Sequence, residues 1–250
     1  MYHTTRLTAE QIADLYTLIT MDATVEQQSW PPILGLFNSV IVALTYMRRN
    51  RVQAELAETY TVSQPTISRA VTTVTPLIER VLRKFVPTAD ELDSLTQYIV
   101  DGTLLPCWSW AGHPELYSGK CKTTGMNVQV ACTLNGRLAW ISDPIEGSRH
   151  DTHCLGESGV LLTVNPDNWI GDKGYVGNHM LTPIKKPRHR ALLNWKKEFN
   201  TQVSKIRWVI EQVIANFKTW RIMHTDYRRP LATFSKTIST VIALHFYATA

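Results

Sequence analysis

Trp169-Ile170-Gly171-Asp172-Lys173-Gly174-Tyr175 is the stretch whose reading decides the fold. The short apolar run from Asn168 to Gly171 is bounded by glycine and ends on an acid, the pattern of a buried parallel strand that delivers a carboxylate at its carboxyl end. An earlier run, Tyr98-Ile99-Val100-Asp101-Gly102-Thr103, has the same form. In layered α/β sheets ligands collect near the strand ends, so Asp101 and Asp172 are expected on neighbouring central strands. Further on, Ala191 to Trp220 has helical period and carries Arg207, Glu211 and Lys218. At roughly 100° per residue these three fall within a narrow sector, and a long helix packed over the sheet edge would bring Glu211 to the same point.

Two aspartates and a glutamate are hard oxygen donors suited to magnesium, which keeps several waters and needs few protein ligands. A pair of such ions serves in-line phosphoryl displacement by activating the attacking oxygen and stabilising the leaving one. The residues alone leave a plainer alternative open. Asp101 and Asp172 each adjoin glycine and would serve as turn residues, and Glu211 would be a helix-surface acid paired with Arg207. Lys218 is too distant for that pair, and cations on this face suit phosphate oxygens.

The rest of the pattern is a helical front, a strand-bearing middle and a helical back. Helices are expected over Thr8–Thr20 with Thr8 as N-cap, over Ile33–Asn50, Gln53–Tyr60 and Gln64–Lys84, with Pro87 to Leu92 as linker. Strands are expected over Gln97–Leu105, Met126–Leu134 and Leu138–Asp143, the last two joined at Asn135-Gly136. A helix over Ser148–Leu162, a short fifth strand over Leu181–Lys186 and a final apolar helix over Leu231–Tyr247 complete the reading.

Asp101-Gly102-Thr103, Gly147-Ser148-Arg149-His150-Asp151, Gly171-Asp172-Lys173-Gly174-Tyr175 and Arg207, Glu211 and Lys218 on one helix follow in order. Together they resemble the DDE transposases of bacterial insertion sequences and their Harbinger-type relatives, from about Tyr98 to Arg221. The resemblance implies an RNase H-like fold, with a mixed sheet and packed helices. It implies that Asp101, Asp172 and Glu211 bind two Mg2+ ions, with Mn2+ as a substitute, and that the activity is DNA cleavage and strand transfer. One departure is visible: related families often carry Tyr three residues before the helix arginine, and Ser204 stands there. The same resemblance makes Asp151 a supporting acid rather than a direct ligand. Lys173 would touch DNA phosphate beside the metals or serve only as a turn lysine. His150 is expected to pack, and Trp195 to be buried beside basic surface rather than stacked on a base.

The front end resembles a helix-turn-helix over about residues 53–75. Ala57 is small where two helices would cross, Val62 and Ile67 would pack beneath, Ser63 would cap the second helix and Pro65 sits in its first turn. Thr61 occupies the usual glycine position. In such a motif the first turn of the second helix meets base edges, which nominates Ser63, Gln64, Thr66, Ser68 and Arg69, while Arg48, Arg49 and Arg51 suit phosphate.

The charge distribution is lopsided, as expected either for a polyanion-binding surface or for a solvated helical face. The 250 residues carry a formal net charge of +5. From Thr182 to Arg229 twelve Lys or Arg face three acids, whereas Phe85 to Leu181 holds eleven acids and five basic residues. Four cysteines without a paired motif read as reduced thiols. The longest apolar run, Leu34 to Met47, is too short to span a bilayer. The reading is therefore a helical DNA-binding region over 1–86 and a nuclease domain over 87–250, in a cytoplasmic, nucleoid-associated bacterial protein. Its partners would be double-stranded DNA at transposon ends and targets, and a second copy of the chain, since joining two ends needs at least a dimer. Two rival readings are a domesticated DNA-binding relative that does not transpose, which loss of a triad acid would favour, and a helix-turn-helix regulator, which leaves the acid and cation spacing unexplained.

Overall fold

The computed structural model describes residues 2–22, 29–108 and 112–249. The chain divides into two compact units, Met1–Val86 together with Lys218–Ala250, and Pro87–Phe217. The first break falls at the start of the expected linker.

The helical unit begins with a single turn, α1 (Tyr2–Thr5), and continues with α2 (Ala9–Thr20). The start of α2 is fixed by a reciprocal cap: Thr8 Oγ1 accepts from Gln11 N at 3.1 Å and Gln11 Oε1 accepts from Thr8 N at 3.0 Å. That pair satisfies two otherwise orphaned donors. Ile12, Leu15 and Ile19 form its buried stripe, at the spacing expected from the sequence. Three more helices follow, α3 (Gly35–Arg49), α4 (Gln53–Tyr60) and α5 (Gln64–Leu82). The α3 helix stops at Asn50, which takes the left-handed conformation at φ 47° and so ends the hydrogen-bond ladder.

The sheet unit is built on β1 (Tyr98–Pro106), β2 (Tyr117–Ser118), β3 (Thr123–Thr133), β4 (Leu138–Ile141), β5 (Ile145–Glu146) and β6 (Trp169–Ile170), with α6 (Asp151–Glu157) and α7 (Asn194–Phe217). Among the described residues the strand order is β2-β3-β1-β6, and β4 and β5 also pair with β3. β1 is antiparallel to β3 and parallel to β6, so the sheet is mixed. The hairpin at Asn135-Gly136 forms as expected, with Gly136 at φ 82° and its N–H donating to Thr133 O at 3.0 Å. One face of the sheet buries Tyr98, Val100 and Ala131 against Leu155, Val160 and Tyr175. The larger aliphatic members, Val100, Leu155 and Val160, each contribute roughly 1.5–3 kcal/mol on burial. The other face of β1 and β3 receives α7.

Two expected elements are shorter than the sequence suggested. The helix after the sheet runs only from Asp151 to Glu157, because Gly159 turns left-handed at φ 72° and a 3-10 turn, Val160–Leu162, replaces the continuation. The fifth strand reduces to a single parallel bridge between Ile170 and Leu181. Pro183 and Pro187 cannot donate to a ladder, which explains why pairing goes no further.

The last helix, α8 (Phe234–Thr249), joins the helical unit, whereas the sequence reading placed it with the nuclease domain. It packs on α5, and almost all its middle positions are buried. Thr240 Oγ1 donates to Thr75 O at 3.3 Å, and Lys236 Nζ reaches Glu79 Oε2 at 2.6 Å. An apolar helix covers whichever greasy face is offered to it, and its hydropathy pattern carries no address.

His245 on α8 is 3 % exposed, and burial, with Arg6 and Arg48 nearby, lowers its pKa from 6.5 to about 3. A depressed histidine contributes stability that is present above its unfolded value and lost as pH falls towards its folded one. Between about pH 6.5 and pH 5 this contribution is expected to decline by about 2 kcal/mol, since each pH unit in that window is worth about 1.4 kcal/mol. Urea unfolding at both pH values should show this loss in the parent and its absence in His245→Leu.

Candidate active site

The sheet brings the two aspartates into electrostatic range of each other. Tyr98 pairs with Trp169 and Ile99 with Ile170, where β6 ends, so Asp101 and Asp172 each follow the last pair by two residues. Asp172 is thus held just past the end of β6, where its Oδ1 accepts the Gly174 N–H at 2.6 Å and caps a 3-10 turn, Lys173–Tyr175. Lys173 is exposed on that turn.

From the opposing helix, Arg207 Nη2 donates to Asp101 Oδ2 at 3.0 Å, with both side chains largely buried. The second oxygen of Asp101 accepts the Gly102 N–H at 2.9 Å. Burial pushes the Asp101 carboxyl up to about 6; Arg207 opposes that rise, and Asp172 and Asp151 add to it. Arg207 Nε is buried and meets no hydrogen-bond acceptor among the described residues. The guanidinium therefore places its Nη2 edge on the Asp101 carboxylate and keeps Nε out of solvent.

Glu211 lies one turn beyond Arg207 on α7 and is exposed. No group of three His, Cys, Asp or Glu among the described residues is close enough to enclose an ion. Asp101 and Asp172 therefore come together, while Glu211 waits on the adjoining helix face. The donors still suit a divalent cation: Asp101 and Asp172 are hard oxygen donors, and the charges of Asp172 and Asp151 both act on the largely buried Asp101, an excess of negative charge that a hard cation relieves. The helix ends at Phe217, one residue before Lys218, which falls in the other unit.

Asp151 is more closely built in than the sequence indicated. Its Oδ2 accepts Lys120 Nζ at 3.0 Å and its Oδ1 accepts Asn127 Nδ2 at 3.3 Å. Asn127 Oδ1 accepts Gln129 Nε2 at 2.9 Å, and Gln129 Oε1 accepts the Tyr175 hydroxyl at 2.6 Å. Gly102 makes room for this: a Cβ there would stand 2.4 Å from Asp151 Oδ1 and 2.9 Å from Gln129 Nε2. The sequence signal for this network was the polar alternation of Asn127 and Gln129 on an otherwise apolar strand. Lys120 gave no signal at all. His150 is exposed and precedes α6 at the N-cap position without a side-chain cap. Trp195 is 59 % exposed with Lys196 Nζ over its ring at 5.3 Å, so the expected burial does not occur. It lies near the start of α7, where the buried stripe begins only at Val203.

The chain belongs to the DDE superfamily endonucleases. The family of that description matches residues 100–245, more than half of the chain, and the helix-turn-helix of DDE superfamily endonucleases matches residues 33–84. A putative transposase for insertion sequence element IS112 of Streptomyces albus G is 29 % identical over 220 residues, covering 87 % of this chain and 82 % of the relative. A probable transposase for insertion sequence element IS702 of Microchaete diplosiphon is 24 % identical over 230 residues, covering 86 % of this chain and 82 % of the relative. No solved structure matches. Among the described residues no helix is long and apolar enough to cross a membrane.

In the helix-turn-helix, Thr61 ends α4 in the left-handed conformation at φ 53° where the motif usually has glycine, and the Val62 N–H reaches back to Ala57 O at 2.9 Å. Ser63 stands at the N-cap of α5, but its hydroxyl meets Thr66 Oγ1 at 2.9 Å rather than a backbone N–H. Thr66 is buried beside Ile67, so it braces the turn, and its expected place among the base-reading residues is revised. Gln64 and Arg69 are exposed and Ser68 is half-buried on the outer face of α5. Arg48 lies over the Trp220 ring at 5.8 Å, and Arg49 is bonded to His3 O, so both have partners within the helical unit. Arg51 is exposed. On this geometry Arg69→Ala is expected to weaken binding of the cognate DNA by about 1–3 kcal/mol and to relax preference at one base position. Footprinting on randomised sites reads both effects, and an unchanged footprint would remove Arg69 from recognition.

Proposed function

We propose that this chain is a DNA transposase: it binds the terminal inverted repeats of its element through the helix-turn-helix, cuts at their ends and joins the freed end to target DNA. The observation that supports this reading most is that Asp101 and Asp172, each two residues past the last β1–β6 pair, lie within electrostatic range while Arg207 donates to Asp101 from the helix that bears Glu211.

Asp101, Asp172 and Glu211 would hold two magnesium ions, or manganese in their place, which supply polarisation of the phosphoryl oxygens and lower the pKa of the attacking hydroxyl. The chain's own residues bind and orient. Arg207 holds Asp101 in place from α7, and Lys173 and Lys218 contact flanking phosphates. In the first step a water oxygen bonds to phosphorus as the 3′ oxygen leaves and takes a proton. In the second, that 3′-hydroxyl bonds to a phosphorus of the target strand, whose own 3′ oxygen leaves. Each step makes and breaks one P–O bond, so one arrangement of positioning groups serves both. Joining two ends calls for two copies of the chain on DNA, and a homodimer or larger assembly is part of the proposal.

The test is incubation of purified protein and Mg2+ with linear DNA carrying the repeats that flank its gene. Cuts at the repeat ends, absent from DNA with scrambled repeats, are the expected outcome. Equal cutting of both DNAs, or none of either, would reject the reading.

A further inference from the structure

A cavity of about 270 Å3 opens one residue from Asp101, lined among others by Gly102, Lys120, Asn127, Arg149, His150 and Asp151. Neither the triad nor the helix-turn-helix uses it. It is larger than a water-sized void and carries two cations, Lys120 and Arg149, on a wall that also includes the apolar Leu104 and the acid Asp151.

Lys120 is the unusual member. Its side chain is 70 % exposed, and a lysine so placed ordinarily keeps its rotamer freedom. Here its ammonium is held 3.0 Å from Asp151 Oδ2, on a carboxylate that is itself only 12 % exposed. Both Asp151 oxygens are engaged by protein donors, Lys120 on one and Asn127 on the other. The chain of hydrogen bonds behind it runs through Gln129, which is wholly buried, to the buried Tyr175. Such a network fixes the carboxylate, and the carboxylate fixes the ammonium. The fixed charge also lies within electrostatic range of Asp172 and Asp101. The negative charge of these carboxylates opposes the approach of a DNA strand, and a point charge on a directed stem is the side chain suited to drawing a phosphate in beside them.

We propose that this cavity seats the nucleotide adjoining the scissile phosphate, that Lys120 is the ligand of that nucleotide's phosphate, and that Asp151 is the positioning residue that aims Lys120. The proposal rests on the endonuclease reading above for its location and goes beyond it in assigning a strand subsite on the α6 side of the sheet. Asp151 acts through Lys120 and is not itself in contact with the DNA.

The experiment pairs a protein change with a DNA change. Lys120→Met, Lys120→Arg, Asp151→Asn and, as a control on the same turn, Lys122→Met are tested on repeat-end DNA. That DNA carries either a normal phosphate or a neutral methylphosphonate beside the cleavage site. Lys120→Met is expected to slow single-turnover cleavage about 10- to 100-fold, with Lys120→Arg restoring most of the rate. The methylphosphonate should slow the parent by a similar factor and leave Lys120→Met no slower than before. Asp151→Asn should lower the rate constant more than it raises KM, because the lysine remains but is no longer aimed. Multiplying effects of Lys120→Met and the methylphosphonate, or equal effects from Lys122→Met, would overturn the assignment. The salt dependence of DNA binding gives a readout without cleavage: the slope of log K against log salt should fall by about 0.9 in Lys120→Met, the loss of one phosphate contact. A slope unchanged from the parent refutes the phosphate contact even if the protein cuts nothing, whereas a reduced slope without cleavage upholds it and rejects the nuclease reading instead.

Discussion

Asp172→Asn is expected to bind repeat-end DNA as tightly as the parent and to cut it about 10³-fold more slowly, the several kcal/mol of transition-state charge stabilisation that a carboxylate-held cation supplies. The substitution is close to isosteric. An asparagine Oδ1 accepts the Gly174 N–H as the aspartate does at 2.6 Å, so the turn that follows β6 keeps its cap. What disappears is one negative charge within electrostatic range of Asp101. Binding should survive because the helix-turn-helix belongs to the other unit of the chain. Gel-shift and single-turnover cleavage on the same DNA separate the two properties. Parent-like cutting by the variant would remove Asp172 from the chemistry.

The second large effect concerns the cost of keeping Asp101 charged. Its carboxyl titrates at about 6 in the folded protein against a reference of 3.8, chiefly because it is buried. A carboxyl with a raised folded value contributes stability that is complete below the unfolded value and lost as pH rises through the folded one. Asp101 therefore favours folding below about pH 4 and has forfeited that contribution above about pH 6. The gap corresponds to about 3 kcal/mol. Asp101→Asn cannot titrate, so its stability relative to the parent should improve by on the order of 2–3 kcal/mol between pH 4 and pH 7.5 in metal-free buffer, while cleavage is abolished. Denaturant unfolding of both proteins at the two pH values measures the difference. A stability gap that stays constant with pH would mean Asp101 is not strained by its surroundings. Arg207 only partly offsets the cost of that charge in the free protein.

The parts of this site that the sequence disclosed were those set by local periodicity. Asp101 and Asp172 are each announced by a short apolar run before an acid, although β1 continues past Asp101 to Pro106, and the parallel pairing follows from the strand type. Arg207 and Glu211 follow from helical spacing. Local pattern could not disclose contacts made across the fold by residues of ordinary appearance. Lys120 sits in a turn with Lys122 nearby, and only tertiary structure distinguishes the one that meets Asp151. Thr66 reads as a polar residue on a recognition helix, yet its methyl and hydroxyl are turned inward to Ile67 and Ser63. Trp195 was expected inside because tryptophan is large and apolar, but it precedes the part of α7 that packs on the sheet. The apolar face of α8 was plain in the sequence, while its partner, α5, lies more than 150 residues away along the chain.

The most direct measurement of where the cation sits is affinity cleavage of the polypeptide itself. With Fe2+ in place of Mg2+, repeat-end DNA bound, and ascorbate and peroxide added, radicals formed at the bound ion cut the backbone nearby. Cuts confined to the segments around Asp101, Asp172 and Glu211, suppressed by excess Mg2+ and lost in Asp172→Asn, are the expected result. Cuts at other segments, or cuts around Asp101 and Asp172 with none around Glu211, would contradict a site in which those three carboxylates hold the ion together.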